Sequence, residues 1–383
     1  MSSIKEEALA DIAKAAELDK LKADTAAKKA EYDNKMYTAK LEAMKENERD
    51  LEIAKKSSYG ALDKEEVQKI VKDNQEYMES AQDPMMFICP TFNDIVPFFQ
   101  KNLILVGAKT GEGKSTAVAN LAFGAFTSRH KKTGKLLRIL VITNEEKRED
   151  FYNRITSLAR GWHYTNHSKF TPEQRAEFSK MIPVLSSDGR LTVIDNNHGG
   201  SNGVTTSIEG IETLFNSLLE NKEYYDVVLI DYYQNIIQSK TNPYMDQYKV
   251  QEKFSRLVDN FKNNYPAPIV VMAQLKSQKE KEDNPFQIRL MGSKSIMVPA
   301  TLAIEMVVDR KNLRTKWIVH KSRYTEGMGK DFFTGYDRGK FVEYTTAFAE
   351  RVQRMAYERE ARKIEKTVEK QDAPKEDKKE EAK

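Results

Sequence analysis

Ten consecutive residues carry the most legible chemistry: GAKTGEGKST, that is Gly107, Ala108, Lys109, Thr110, Gly111, Glu112, Gly113, Lys114, Ser115 and Thr116. The glycines at 111 and 113 let the backbone curl so that its N–H groups point inward. Lys114 adds a point charge, and the Ser115 hydroxyl can meet Mg²⁺. Such a loop cradles the phosphates of a nucleoside triphosphate when it joins a strand to a helix, because the helix N-terminus adds its positive dipole end. The flanks meet that condition. Residues 102–106 form a short apolar run suited to a buried parallel strand, and the residues after Gly113 are rich in Ala and Leu. The usual pattern G-x-x-x-x-G-K-[ST] has Ala108 in its first position here, with Gly107 just before it. A chance glycine-rich turn is the bland alternative, and the strand and helix on either side speak against it.

A phosphate loop does not say what hydrolysis drives, so the elements that must complete it matter. YDVVLIDYY over 225–233 reads as a strand that delivers Asp231 to the Mg²⁺ of a bound nucleotide. LLRILVIT over 136–143 is a second buried strand, ending in Asn144, Glu145 and Glu146 at the carboxyl end, where α/β sheets place their ligands. Further strands are expected at 191–194, 267–272, 302–308 and 316–320, with an aromatic strand region over 332–344. Helices are expected within 150–190 and over 208–220 and 245–264. The strand at 267–272 leads into Gln274 and Lys276. Residues 276–283 are strongly charged, and 284–295 look loop-like.

The chain has 383 residues, 31% of them charged, yet a net charge of only +4, so any basic surface must be local. One cysteine, Cys89, excludes an intrachain disulfide framework and a multi-cysteine zinc module, which fits a reducing cytoplasm. No apolar run approaches the roughly 20 residues that span a bilayer, and a soluble cytoplasmic protein with no membrane partner is expected. Composition suggests four segments: a charged helical arm over 1–57, a linker helix and lead-in over 58–90, an NTPase domain over 91–347 and a charged tail over 348–383. The linker helix is expected at 63–81, with Val67, Ile70, Val71 and Tyr77 at helical spacing. The last two dozen residues have almost no apolar content and are expected to be disordered.

Five motifs in order, GAKTGEGKST, VITNEE, VVLIDYYQN, VVMAQLK and VHKSRYTEGMG, make residues 91–344 resemble the RecA-fold motor domain of hexameric replicative DNA helicases, the DnaB type and its phage primase-helicase relatives. The resemblance implies a RecA-like P-loop NTPase: an α/β fold with a mostly parallel twisted sheet flanked by helices, here with an α-helical N-terminal extension and a charged C-terminal tail. It implies ATP or another NTP or dNTP with Mg²⁺, in the cytoplasm of a bacterium or a phage-infected host. Glu145 matches the family's catalytic glutamate, with Glu146 as fallback. Ser115 and Asp231 match the metal-holding pair, and Gln274 matches a polar sensor of the γ-phosphate. Lys321 and Arg323 match a finger pair that reaches the neighbouring subunit's nucleotide, and Arg310 with Tyr336 match positions lining the base. Residues i and i+2 of an extended strand face one side, which suits Lys321 and Arg323.

The implied partners are single-stranded DNA and identical subunits in a hexameric ring, with primase, a single-strand binding protein or a loader at the terminal extensions. Lys276, Arg289 and Lys294 are the DNA-contact candidates, along with the residues after Gln234. The residues before 91 do not resemble the family's globular N-terminal domain. Two other functions remain open on sequence grounds: a recombination-type ATPase that forms filaments on DNA, and a regulatory or assembly ATPase that does not act on DNA.

Overall fold

In the computed structural model, the described residues are a set of helical positions between Lys28 and Glu48, then residues 64–372 apart from 83, 86, 165–168, 198–205, 237–244, 278–284 and 324–328. The charged arm therefore lies largely outside the described residues. The chain divides into two compact units, Met1–Val71 and Lys72–Lys383.

Among the described residues the second unit has nine strands, β1 (Leu103–Lys109), β2 (Ile139–Thr143), β3 (Leu191–Ile194), β4 (Val227–Asp231), β5 (Ile269–Leu275), β6 (Leu302–Asp309), β7 (Arg314–Ser322), β8 (Asp331–Asp337) and β9 (Lys340–Glu343). They form one sheet in the order β3-β2-β4-β5-β1-β6-β7-β8-β9. From β3 to β6 every pairing is parallel, and from β6 to β9 every pairing is antiparallel. The composition explains the split. β1, β2, β4 and β5 are almost unbroken Val, Ile and Leu, as strands covered on both faces must be, whereas β7 alternates Trp317 and Val319 with Lys316 and His320.

The helices are α1 (Lys64–Gln82), α2 (Pro90–Ile95), α3 (Lys114–Thr127), α4 (Arg148–Arg160), α5 (Pro172–Ser186), α6 (Ile208–Glu220), α7 (Gln247–Asn264), the single-turn α8 (Phe286–Arg289) and α9 (Thr346–Asp372). On one face of the sheet, α3 and α4 set Ala117, Val118, Leu121, Phe151 and Ile155 against Ile104, Val106 and Ala108. On the other face, α6 and α7 set Ile211, Phe215, Phe254, Val258 and Phe261 against Leu103, Leu105 and Ile230. Strand β1 thus feeds both cores by simple alternation.

Two expectations shift. The strand expected from residue 136 begins at Ile139, because Leu136 pairs with Arg129 across a turn. Of the last two dozen residues, expected to be disordered, those up to Asp372 are helical, and 373–383 lie outside the described residues. No Gly or Pro interrupts α9, and its Ala, Glu, Lys and Arg content favours helix.

Candidate active site

The parallel arrangement brings the ends of β1, β2, β4 and β5 to one edge, where Lys114, Ser115, Glu145, Asp231 and Gln274 gather. Gly111 and Gly113 have φ of +80° and +84°, the left-handed region that glycine enters without strain. Gly107 is required for a different reason: a Cβ there would lie 2.4 Å from the Phe286 ring. Helix α3 starts at Lys114, so its unpaired N–H groups face the curl of the loop. Lys114 is buried, and its Nζ sits 5.3 Å from the centre of the Tyr232 ring.

Asp231 ends β4 and is 1% exposed. Burial pushes its carboxyl up to about 6, against a hydrogen bond from Ser115 and the charge of Lys114, while Glu145 and Glu146 push it further up. One oxygen, Oδ1, is buried without a hydrogen-bond partner. An orphaned carboxylate oxygen beside a serine hydroxyl at the phosphate loop fits a divalent cation that takes one or two protein ligands and draws the rest from phosphate and water. Among the described residues there is no group of three or more His, Cys, Asp and Glu that could cage a metal.

The two acids after β2 differ. Glu146 is held by Arg154 at 2.7 Å, and Arg154 lies 4.6 Å from the Tyr164 ring, so its charge is engaged. Glu145 is exposed at the strand end, close enough to Asp231 and Tyr232 to disfavour their ionisation. Asn144 between the strand and Glu145 is buried, with both atoms of its side-chain amide unpartnered, a feature that sequence reasoning passed over.

Gln274, at the end of β5, donates from Nε2 to Thr110 Oγ1 at 2.5 Å and so touches the phosphate loop directly. Gln234 holds it there. The Gln234 amide accepts from the Gln274 backbone N–H at 2.8 Å and donates to the carbonyls of Gln274 at 3.2 Å and Met291 at 2.8 Å. The backbone-satisfied glutamine of this site is therefore Gln234.

Beside the loop a cleft of about 410 Å³ is lined by Gly113, Thr116, His163, Arg310, Arg314 and Tyr336 among others. Arg310 donates to the Gly111 carbonyl at 2.6 Å. Tyr336 contacts Thr116 and packs on Phe341 at 6.0 Å. Glu112 accepts from the Val308 N–H at 2.6 Å, tying the loop to β6. Both expected base-lining residues thus border the phosphate loop, and Arg314 joins them unforeseen.

Lys321 and Arg323 lie elsewhere. Strand β7 runs antiparallel to β6, so its end meets the beginning of β6, and the Arg323 N–H reaches the Thr301 carbonyl beside Leu103. The phosphate loop begins after Lys109. At roughly 3.3 Å per residue along β1, Arg323, level with Leu103, stands about 20 Å from its own loop, and Lys321, level with Leu105 through Ala303, about 13 Å. Both side chains face the same way, Lys321 donating to Met297 O at 2.5 Å and Arg323 to Val298 O at 2.8 Å. Burial and the neighbouring Arg323 and Lys262 hold the Lys321 amine below its ordinary value.

Of the DNA-contact candidates, Lys276 and Lys294 are exposed, and the residues after Gln234 expected to contribute fall largely outside the described ones. Arg289 is a correction. Its side chain is only 11% exposed and is ion-paired with the Glu305 carboxylate inside the fold, so it does not present a charge at the surface.

Sheet order, phosphate loop and carboxyl-edge carboxylates together define a RecA-like P-loop NTPase. The chain belongs to the DnaB-like helicase C-terminal domain family, whose model matches residues 91–331. A solved ATPase domain is similar in structure, with TM-score 0.56 and 15% identity, covering 74% of this chain and all of that one (100%). A DnaB-like replicative helicase, studied with its interactions with primase, gives TM-score 0.53 and 16% identity over 75% of this chain and 67% of that chain. No curated protein matches the sequence. Among the described residues no helix is long and apolar enough to cross a membrane.

Proposed function

We propose that this chain is the motor of a replicative-type DNA helicase that assembles as a ring, a hexamer, hydrolyses ATP or another NTP or dNTP, and draws single-stranded DNA through its centre. The observation that carries the reading is the separation of Lys321 and Arg323 from their own phosphate loop. A cation pair held at the far end of the sheet cannot touch the phosphates its own subunit binds, and it suits the site of the next subunit in a closed assembly.

The side chains divide the chemistry as follows. The loop N–H groups from Gly107 to Thr116, with Lys114, bind and orient the phosphates. Ser115 and Asp231 would hold Mg²⁺, which when bound neutralises charge on the transferring phosphoryl group. Glu145 orients the attacking water and takes its proton, and the unpartnered Asn144 amide beside it is placed to fix that water. Gln274 touches both the phosphate loop and the segment that leads to Lys276, so loss of the γ-phosphate can be felt where DNA is gripped. Arg310 and Tyr336 flank the base. Lys276 and Lys294 neutralise strand phosphates. Contacts with primase, a single-strand binding protein or a loader fall to the terminal segments.

A forked-DNA unwinding assay with NTP tests the reading. Wild type separates strands, and Glu145→Gln, which still binds nucleotide, hydrolyses about 10²–10⁴-fold more slowly and does not. Hydrolysis without strand separation on forks of either polarity points instead to a filament-forming or regulatory ATPase. Mixing Arg323→Ala with Glu145→Gln subunits restores part of the hydrolysis if the arginine acts across subunits. No recovery in a demonstrated mixed assembly defeats that element.

A further inference from the structure

Between β6 and β7 the register breaks at one place. Ala303 pairs with Lys321, but Ile304 pairs with Val319, so His320 is an extra residue with no Cα partner, a β-bulge. The consequence for side-chain direction is specific. Trp317 and Val319 point into the core under α3 and α4, and regular alternation would send Lys321 and Arg323 to that same face. They are instead found against Met297 and Val298, next to Ile296 and Ala300 of the core under α6 and α7. His320 faces that side too, stacked on Phe286 at 4.8 Å. Two consecutive residues thus share a face, and the bulge decides which face carries the cation pair.

Something must hold the inserted residue, because a slip of one position would return the pair to the opposite side. Glu305 on β6 does so. It is 3% exposed, and its Oε2 lies 3.0 Å from His320 Nε2. The other oxygen accepts from Arg289. Despite burial, which pushes the Glu305 carboxyl up, the hydrogen bonds from His320 and Arg289 hold it below the ordinary carboxylate value. An ionised carboxylate only accepts, so His320 Nε2 carries the proton and donates. Arg289 saturates the other oxygen, which leaves Oε2 aimed at the bulge.

We infer that Glu305 and His320 are positioning residues: Glu305 pins His320 as the inserted residue of β7, and this fixes Lys321 and Arg323 on the face that meets the neighbouring subunit's nucleotide. The inference rests on the assignment of that pair to the adjacent site, and its test separates the two. The full chain is prepared as His320→Leu, as His320→Gln, whose amide can still donate to Glu305 without the ring, and as Glu305→Gln, each checked for its unfolding midpoint and assembly state. His320→Leu should lower kcat about 10²-fold, as a finger displaced by about an ångström does, with nucleotide KM within about twofold. His320→Gln should stay within a few-fold of wild type.

Mixed assemblies locate the defect. His320→Leu subunits keep an intact nucleotide site, so hydrolysis should recover when they are mixed with Glu145→Gln subunits, which donate an intact pair. It should not recover with Arg323→Ala subunits, which lack one. Recovery with Arg323→Ala, or wild-type hydrolysis by His320→Leu alone, overturns the inference, because the bulge then does not set the pair. If Arg323→Ala and Glu145→Gln themselves fail to complement, the adjacent-site assignment falls first and this inference with it. Should His320→Leu not assemble, Glu305→Gln is read in the same two mixtures with the same outcomes.

Discussion

The carboxyl end of β4 and the middle of β6 each bury a carboxylate, and the fold treats them in opposite ways. Asp231 leaves Oδ1 without a partner and is pushed up to about 6 by burial. Glu305 has both oxygens engaged, by Arg289 and His320, and is held below its ordinary value. A buried polar atom left unpaired costs folding free energy and persists where a ligand completes it. A saturated one contributes geometry instead. Under the proposed function the Asp231 site is completed by nucleotide and cation, whereas the Glu305 carboxylate is completed within the fold.

The sharpest way to break this contrast is Asp231→Asn. Mg²⁺-dependent hydrolysis should fall about 10²–10³-fold, as when one transition-state electrostatic contact is lost, while the urea midpoint of the metal-free protein holds or rises. Steady-state hydrolysis within tenfold of wild type would show that the carboxylate does not hold the cation. Glu305→Ala should do the reverse to stability. It leaves the Arg289 guanidinium in the interior without its carboxylate and should lower unfolding free energy by about 3–5 kcal/mol. Adding Arg289→Met should return much of that loss in urea melts, and no return would mean that the pair is not the source.

The pH dependence of stability sharpens the comparison further. Between the ordinary carboxylate range and about 6, native Asp231 retains a proton that the unfolded chain has released, so stability of the metal-free protein should fall as pH rises through that window. Complete ionisation corresponds to about 3 kcal/mol. Glu305, lowered by its partners, contributes stability that is present above the unfolded carboxylate range and lost as pH falls through its native value. Urea midpoints measured from pH 4 to pH 7 should lose the downward slope in Asp231→Asn and keep it in Glu305→Gln.

The phosphate loop, Asp231, Glu145 and Gln274 were legible because each depends on local order: apolar strand, then glycine or acid, then helix. Arg289 was misread for the same reason. In a charged segment an arginine looks solvated, and nothing nearby announces that β6 offers a buried glutamate sixteen residues further on. Likewise the i, i+2 spacing showed that Lys321 and Arg323 share a face, but which face depends on a bulge that no local pattern marks. The helix continuing to Asp372 ran against an expectation based on low apolar content, since backbone propensity alone can carry a charged helix.

The sequence by itself determined the nucleotide chemistry, because phosphate binding needs short-range backbone freedom and side chains at fixed spacing. Only the tertiary structure decided where the cation pair stands. The antiparallel return of β7 sets it about 13 to 20 Å from its own loop, and one inserted residue, held by a glutamate on the adjacent strand, turns it to its face. Strand register depends on pairing between distant segments, and that pairing exists only once the sheet has formed.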